Sequence, residues 1–291
     1  MKLSVQSHSL CKRLSDKEAV SLIKNAGFDA VDMSYCSFEH PSLADNYKEI
    51  ATTLRAHLDT IGLECNQSHA PFQIKFGEPL TLDNPHYLAI CRAIRSAAIL
   101  GAKNIVVHSV NVPEDSGVGC IEYNLEYYRS FTPILEECGI RVAVETLFSR
   151  DAKRPRFNGR ICTPKEMNAF ISELGTEHFT GCLDVGHVAL CGMEPENFIK
   201  RMDPALVECL HIQDGDYIDD RHIPPLFGSF NWDNITEALG KVGYRGDLTF
   251  EVPKYDVGMP TELLPDAYAL LAKIGRRLIK MIDAAKISED T

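Results

Sequence analysis

In the run "CLDVGHVAL", residues 182–190, the apolar pattern of a buried strand is broken by Asp184 and His187. A buried carboxylate is costly unless it is paired or binds a metal. The same interruption recurs along the chain. "NQSHAP" carries His69, "IVVHS" His108, "VAVET" Glu145, "CLHIQD" His211 and "LTFEV" Glu251, each at or near the C-terminal end of an otherwise apolar run. Histidine nitrogen and carboxylate oxygen are the ligands that divalent metals take. Glu145, Asp184 and Glu251 together would concentrate negative charge, and a cation relieves it. A divalent ion on a carbonyl oxygen and its neighbouring hydroxyl acidifies the adjacent C–H and steadies the enediolate that forms. One carboxylate can remove that proton while a second, on the opposite face, returns one. Glu145 and Glu251 are the candidates for this catalytic pair. The outcome is isomerisation or epimerisation, or dehydration where a hydroxyl is lost.

Such residues converge only if the elements carrying them share one face. A unit of amphipathic helix, Gly and short β-rich run recurs, from "KEAVSLIKNAGFDAVDMS" to "ALGKVGYRGDLTFEV". The Gly suits a left-handed helix stop. "SDKE" at Ser15 and "TPKE" at Thr163 have the pattern of capping boxes. Eight strands are predicted: Leu3–His8, Phe28–Met33, Leu63–His69, Asn104–His108, Arg141–Glu145, Gly181–Val185, Val207–Ile212 and Asp247–Val252. Eight strands alternating with helices predict an α/β fold, a parallel (β/α)8 TIM barrel occupying residues 1–291 as a single domain. In that fold the C-terminal strand ends form one mouth, where active sites are built. An open doubly wound sheet is the alternative, but no GxGxxG or GxxxxGK[ST] phosphate turn is present.

Composition narrows the function classes. The net charge of −11 argues against a nucleic-acid partner, since polyanion binding usually needs a basic surface. No apolar run reaches the roughly 18 residues of a membrane span, and the N-terminus does not read as a signal peptide. The ten cysteines are dispersed without a CxxC pair, which reads as free thiols in a reducing cytoplasm.

Other residues join the candidate site by position. "DGDYIDDRHIPPLFGSFNW" follows the seventh strand and carries Asp220 and His222 with Arg221 between them, all three expected to bind substrate. His8, at the end of the first strand, is expected on the rim. The basic stretch "RDAKRPRFNGR", residues 150–160, reads as a solvated loop, with a grip on a substrate phosphate or carboxylate as the alternative. His40, His57, His86 and His178 fall in predicted loops or helices and are set aside.

In their order, "VVHS", "VAVET", "CLDVGH", "LHIQD", "DRHIPPLFGSFNW" and "GYRGDLTFEV" resemble the xylose-isomerase-like TIM-barrel superfamily, over essentially the whole chain. The nearest style is the sugar phosphate isomerase/epimerase group with its ketose 3-epimerases. That resemblance implies one divalent ion, Mn2+, Mg2+, Co2+ or Zn2+, held by Glu145, Asp184, His211 and Glu251. It implies that the two glutamates move the proton and that His187 contacts substrate. The superfamily also includes three-zinc type IV apurinic endonucleases, whose extra ligands would fall on His69, His108, His187, Asp220 and His222, and sugar-acid or cyclitol dehydratases. The acidic charge and the lack of a basic DNA-binding loop favour the isomerase. His69, His108, Asp220 and His222 are then expected to touch substrate or the groups around one ion, without holding a second and third zinc. The expected partner is a small sugar or sugar phosphate, with no nucleic acid or membrane. Such barrels often pair, so a homo-oligomer is also anticipated.

Overall fold

The computed structural model describes residues 1–35, 37–72, 74–150 and 157–287. In chain order the strands among them are β1 (Leu3–Gln6), β2 (Ala30–Ser34), β3 (Glu64–His69), β4 (Asn104–Val107), β5 (Arg141–Glu145), β6 (Leu147–Arg150), β7 (Phe157–Arg160), β8 (Phe179–Asp184), β9 (Val207–His211) and β10 (Leu248–Phe250). Eight of these pair in parallel in the order β10-β1-β2-β3-β4-β5-β8-β9. A parallel bridge between Ile212 and Phe250 joins the two ends. Ile212 N–H donates to Thr249 O at 2.8 Å and Glu251 N–H donates to Ile212 O at 3.0 Å. The result is the eight-stranded TIM barrel that the repeating unit predicts, ringed by helices.

Strand alternation decides what each barrel face carries, because successive side chains point to opposite sides. Leu3 and Val5 of β1, Ile105 and Val107 of β4, Val142 and Val144 of β5, and Leu248 and Phe250 of β10 all join the apolar core. The intervening positions face the barrel interior and are largely polar. Ser4 Oγ donates to Asn66 Oδ1 at 2.8 Å, and Gln67 Nε2 donates to Asp32 Oδ2 at 2.9 Å. A small separate cluster, Val106, Ala143, Cys182 and Cys209, fills the interior between β4 and β9. Glu145, His211 and Glu251 follow in that inward phase, so alternation aims them into the mouth.

The helix signals hold. Ser15 with Glu18 and Thr163 with Glu166 form reciprocal capping boxes. Each cap stabilises its helix by about 1 kcal/mol. Gly62 and Gly101 end their helices at φ 66° and 89°, in the left-handed region open to Gly. At two strand ends a helix begins where the strand was expected to run on. β1 stops at Gln6, and His8 opens a short helix, His8–Cys11. β8 stops at Asp184, which caps the helix Val185–Leu190 by accepting the His187 N–H at 2.8 Å. The stretch after β5 also differs from a simple loop, because β6 and β7 pair as an antiparallel hairpin, with 151–156 outside the described residues. The nine described cysteines are free thiols. No helix among the described residues is long and apolar enough to cross a membrane.

Candidate active site

Four strand ends bring Glu145, Asp184, His211 and Glu251 together, each able to offer a ligand atom within 4.8 Å of the others. β8 and β9 pair with Asp184 opposite His211, so two of the four are ladder neighbours. His211 Nδ1 lies 2.8 Å from Glu145 Oε1 and 3.2 Å from Glu251 Oε2. All four are buried. Glu145 Oε2 and Glu251 Oε2 have no hydrogen-bond partner among the described residues. Orphaned buried carboxylate oxygens within one cluster are what a divalent cation would satisfy, and the mixed N/O donors suit that ion.

The flanking histidines are turned toward the same cluster by main-chain carbonyls. His69 Nδ1–H donates to Ala70 O at 2.8 Å, which leaves Nε2 3.7 Å from Glu145 Oε2. His187 Nδ1–H donates to Thr146 O at 2.9 Å, leaving Nε2 3.8 Å from Asp220 Oδ1. Such bonds fix the tautomer that presents the other nitrogen as a ligand. His108 Nε2 sits 2.7 Å from Glu145 Oε2 without hydrogen-bond alignment, and His222 Nε2 lies 2.9 Å from Asp220 Oδ1. His69, His108 and Glu145 form a second group of potential ligands, and His187, Asp220 and His222 a third. His222 adopts φ 44°, an uncommon conformation outside Gly that strained sites hold in place.

A cavity of about 640 Å³ opens over these groups. His8 and Gln6 line it from β1 and the turn beyond, Phe72 and Phe148 give it apolar surface, and His108, His187, Asp220, His222 and Glu251 supply its polar side. Arg221 is a correction to the sequence reading. It is exposed and pairs with Asp216 Oδ2 at 2.9 Å, outside the residues that line the cavity. With Asp220 and His222 both turned inward, the residue between them faces solvent.

The structure adds partners that sequence reasoning missed. Asp32 of β2 is buried, with Oδ2 3.3 Å from His211 Nε2, behind the face that meets the glutamates. Gln213 Nε2 donates to both Asp184 oxygens, at 3.0 and 2.9 Å, while its Oε1 accepts the His222 N–H at 2.9 Å. Gln6 Nε2 donates to Glu251 Oε1 at 2.7 Å. Arg160 of β7 lines the cavity, unlike the solvated loop residue expected of the basic stretch. The only sequence signal for Asp32 and Gln6 was their polarity inside apolar strands.

Charge balance in the cluster is carried by protons. Burial alone would raise Glu145, but His211 and His108 hold it well below the usual carboxylate range. Burial likewise opposes Glu251 ionisation, and His211 and His222 override it. Burial would strip His211 of its proton, yet Cys182, Glu251, Glu145 and Asp32 together raise it well above the usual histidine range. His222, also opposed by burial, is raised to about 9 by Asp220, Glu251 and Asp184. Asp184, where burial dominates, is pushed up to about 7.

A barrel with buried carboxylate and imidazole groups converging at its mouth defines a class, and the sequence match agrees with it. Residues 20–274 match the xylose isomerase-like TIM barrel family, and the chain belongs to that family. It is similar to uncharacterized protein y4fM of Sinorhizobium fredii, at 26% identity over 93% of this chain and 90% of that protein. A solved D-tagatose 3-epimerase-like protein shares the fold with TM-score 0.75 and 20% identity, over 98% of this chain and 99% of that one. So does the structure of IOLI protein with a binding zinc atom, with TM-score 0.69 and 15% identity, over 98% and 99%.

Proposed function

We propose that the protein is a metal-dependent isomerase or epimerase of a sugar or sugar derivative, acting by proton transfer through an enediolate. The observation that carries this reading is the pair Glu145 and Glu251. They come from β5 and β10, separated in the ring by β8 and β9, yet both reach the same His211 nitrogen. Glu145, Asp184, His211 and Glu251 would hold one divalent ion. When bound, it would supply Lewis acidity beside a substrate carbonyl. Each glutamate would help hold the ion and would take or give a proton on its own side of the substrate. Gln6 orients Glu251, and the apolar faces of Phe72 and Phe148 keep water from the reacting carbon. The cavity volume suits a small molecule. Names among the fold neighbours support the reading: one is D-tagatose 3-epimerase-like, and another carries zinc. The nine described cysteines, all free thiols, fit a reducing compartment such as the cytoplasm. We take the chain as one catalytic unit in carbohydrate metabolism.

The test is turnover of ketoses and aldoses in D2O with added metal. Deuterium is expected on the carbon beside the carbonyl. Glu145→Gln and Glu251→Gln at saturating metal are expected to lower kcat by roughly a hundredfold or more. Product without solvent deuterium, or normal turnover in both variants, excludes proton transfer by these residues.

A second reading, a metal-dependent phosphodiesterase acting at abasic DNA, is favoured by one observation. Three ligand groups lie side by side: His69/His108/Glu145, Glu145/Asp184/His211/Glu251 and His187/Asp220/His222. Metal content separates the two. Protein purified without added metal is expected to carry one tight ion, whereas three stoichiometric zinc ions with cleavage of abasic DNA would establish the nuclease.

A further inference from the structure

β7 ends in Arg160, and the guanidinium borders the cavity together with Asn111, Phe148 and His187. Its Nε and Nη1 are buried without a hydrogen-bond partner, and among the described residues it makes no hydrogen bond or ion pair. Burial lowers its pKa, and the groups acting against that are Cys120, Tyr128 and Cys191, none of them a carboxylate. Other cations nearby are engaged. Lys254 is held by Asp220, and Arg221 by Asp216. The backbone turns sharply just after Arg160, with buried Ile161 at φ 55°, a strained conformation for a β-branched residue. A guanidinium stays charged at any physiological pH, and a buried charge without a counter-charge is costly.

We infer that Arg160 receives a carboxylate of the substrate, so that the enzyme acts on a sugar acid in preference to a neutral sugar. Calling that ligand a substrate rests on the proton-transfer reading above. Charge count selects the carboxylate. One free guanidinium matches one negative charge, and its planar fork matches a planar carboxylate. A phosphate dianion would meet the same one guanidinium, the cation left unpaired among the described lining residues, in a cavity whose walls also carry Asp220 and Glu251. A neutral sugar would leave the guanidinium unpaired, which is how a buried polar group rejects the wrong substrate.

The experiment uses metal-loaded protein and probes that differ only at one end of the same carbon chain. Calorimetry compares D-fructose with 2-keto-D-gluconate and D-fructuronate, and with D-fructose 1-phosphate and 6-phosphate, for the wild type, R160Q and R160K. At least one keto acid is expected to bind the wild type about tenfold or more tighter than D-fructose. R160Q should lose that advantage and R160K keep part of it. Unchanged metal affinity in R160Q, from chelator competition, shows that the site is still folded. Keto acids binding no tighter than fructose, or an advantage that survives R160Q, overturns the inference. A larger Arg160-dependent gain for the phosphates overturns the carboxylate assignment in favour of a phosphate ester. Deuterium exchange on the same probes separates the two claims. Arg160-dependent binding with no exchange on any probe sinks the proton-transfer reading and leaves the anion site. Rapid exchange into fructose that R160Q does not alter sinks the anion site and leaves the proton-transfer reading.

Discussion

His211 has two nitrogens with different neighbours, and that difference sets what the residue can do. Nδ1 faces Glu145 and Glu251, while Nε2 faces Asp32 at 3.3 Å. Nδ1 is hydrogen-bonded with Glu145 Oε1; with an ion bound, a proton kept on Nε2 beside Asp32 would leave Nδ1 as the metal-binding lone pair. His211→Ala and Asp184→Ala are expected to lose metal by elemental analysis, and retention in both would refute the assigned ligand set. Asp32→Asn should leave the barrel intact but weaken metal affinity by roughly ten- to a hundredfold, measured by competition with a chelating dye. Equal affinity in D32N and wild type would mean that the carboxylate does not position the imidazole.

At the scale of elements, the β8 end and the segment after β9 are locked to each other. Asp184 caps the helix Val185–Leu190, and Gln213 braces both its oxygens. The amide orientation of Gln213 is fixed, because its oxygen is already taken by the His222 N–H. Gly186 makes this contact possible, since a Cβ there would lie 2.5 Å from the Gln213 carboxamide carbon. Gly186→Ala is therefore expected to push Gln213 off Asp184 and lower metal affinity about tenfold, with helix content unchanged by circular dichroism. Gln213→Ala should act in the same direction. Normal affinity in both would show that Asp184 is held without this brace. Asp214 has a different task. It accepts the N–H groups of Leu226 and Phe230 and the Trp232 indole N–H, which ties down the loop carrying Asp220 and His222.

For the whole molecule, the proton balance of the cluster links pH, metal and stability. His222 is raised from 6.5 to about 9, so its contribution to metal-free stability is complete below about pH 6.5 and is lost as pH rises through 9. Asp184 is raised from 3.8 to about 7, so its contribution is complete below 3.8 and lost as pH rises through 7. Glu145 and Glu251, held below 4.5, work the other way, and their contribution is lost on acidification. Metal-stripped protein should therefore melt at progressively lower temperature from about pH 6 to pH 9. Metal should abolish that slope, because the ion replaces the histidine protons as the counter-charge. Metal binding near neutrality should also release protons, seen by calorimetry in buffers of different ionisation enthalpy. A flat metal-free profile, or binding without proton release, would contradict this charge balance.

The eight barrel strands, their order and the strand-end placement of Glu145, Asp184, His211 and Glu251 were legible in the chain, because a short apolar run closed by a polar residue is a local pattern. The capping boxes at Ser15 and Thr163 were legible for a similar reason: the bonds that make them span only three residues. Contacts made by closing the barrel were not. Asp32 lies in the unremarkable run "AVDMS", and nothing near it in sequence points to His211. Gln213 next to "LHI" reads as a polar strand end until β9 is set beside Asp184. Arg160 and Arg221 show the limit most plainly. Both are arginines in polar segments, yet one borders the cavity without a partner among the described residues and the other pairs with Asp216 in solvent. Local pattern determines which face a strand residue takes. Which charge finds a counter-charge depends on neighbours from distant strands, and only the closed barrel supplies them.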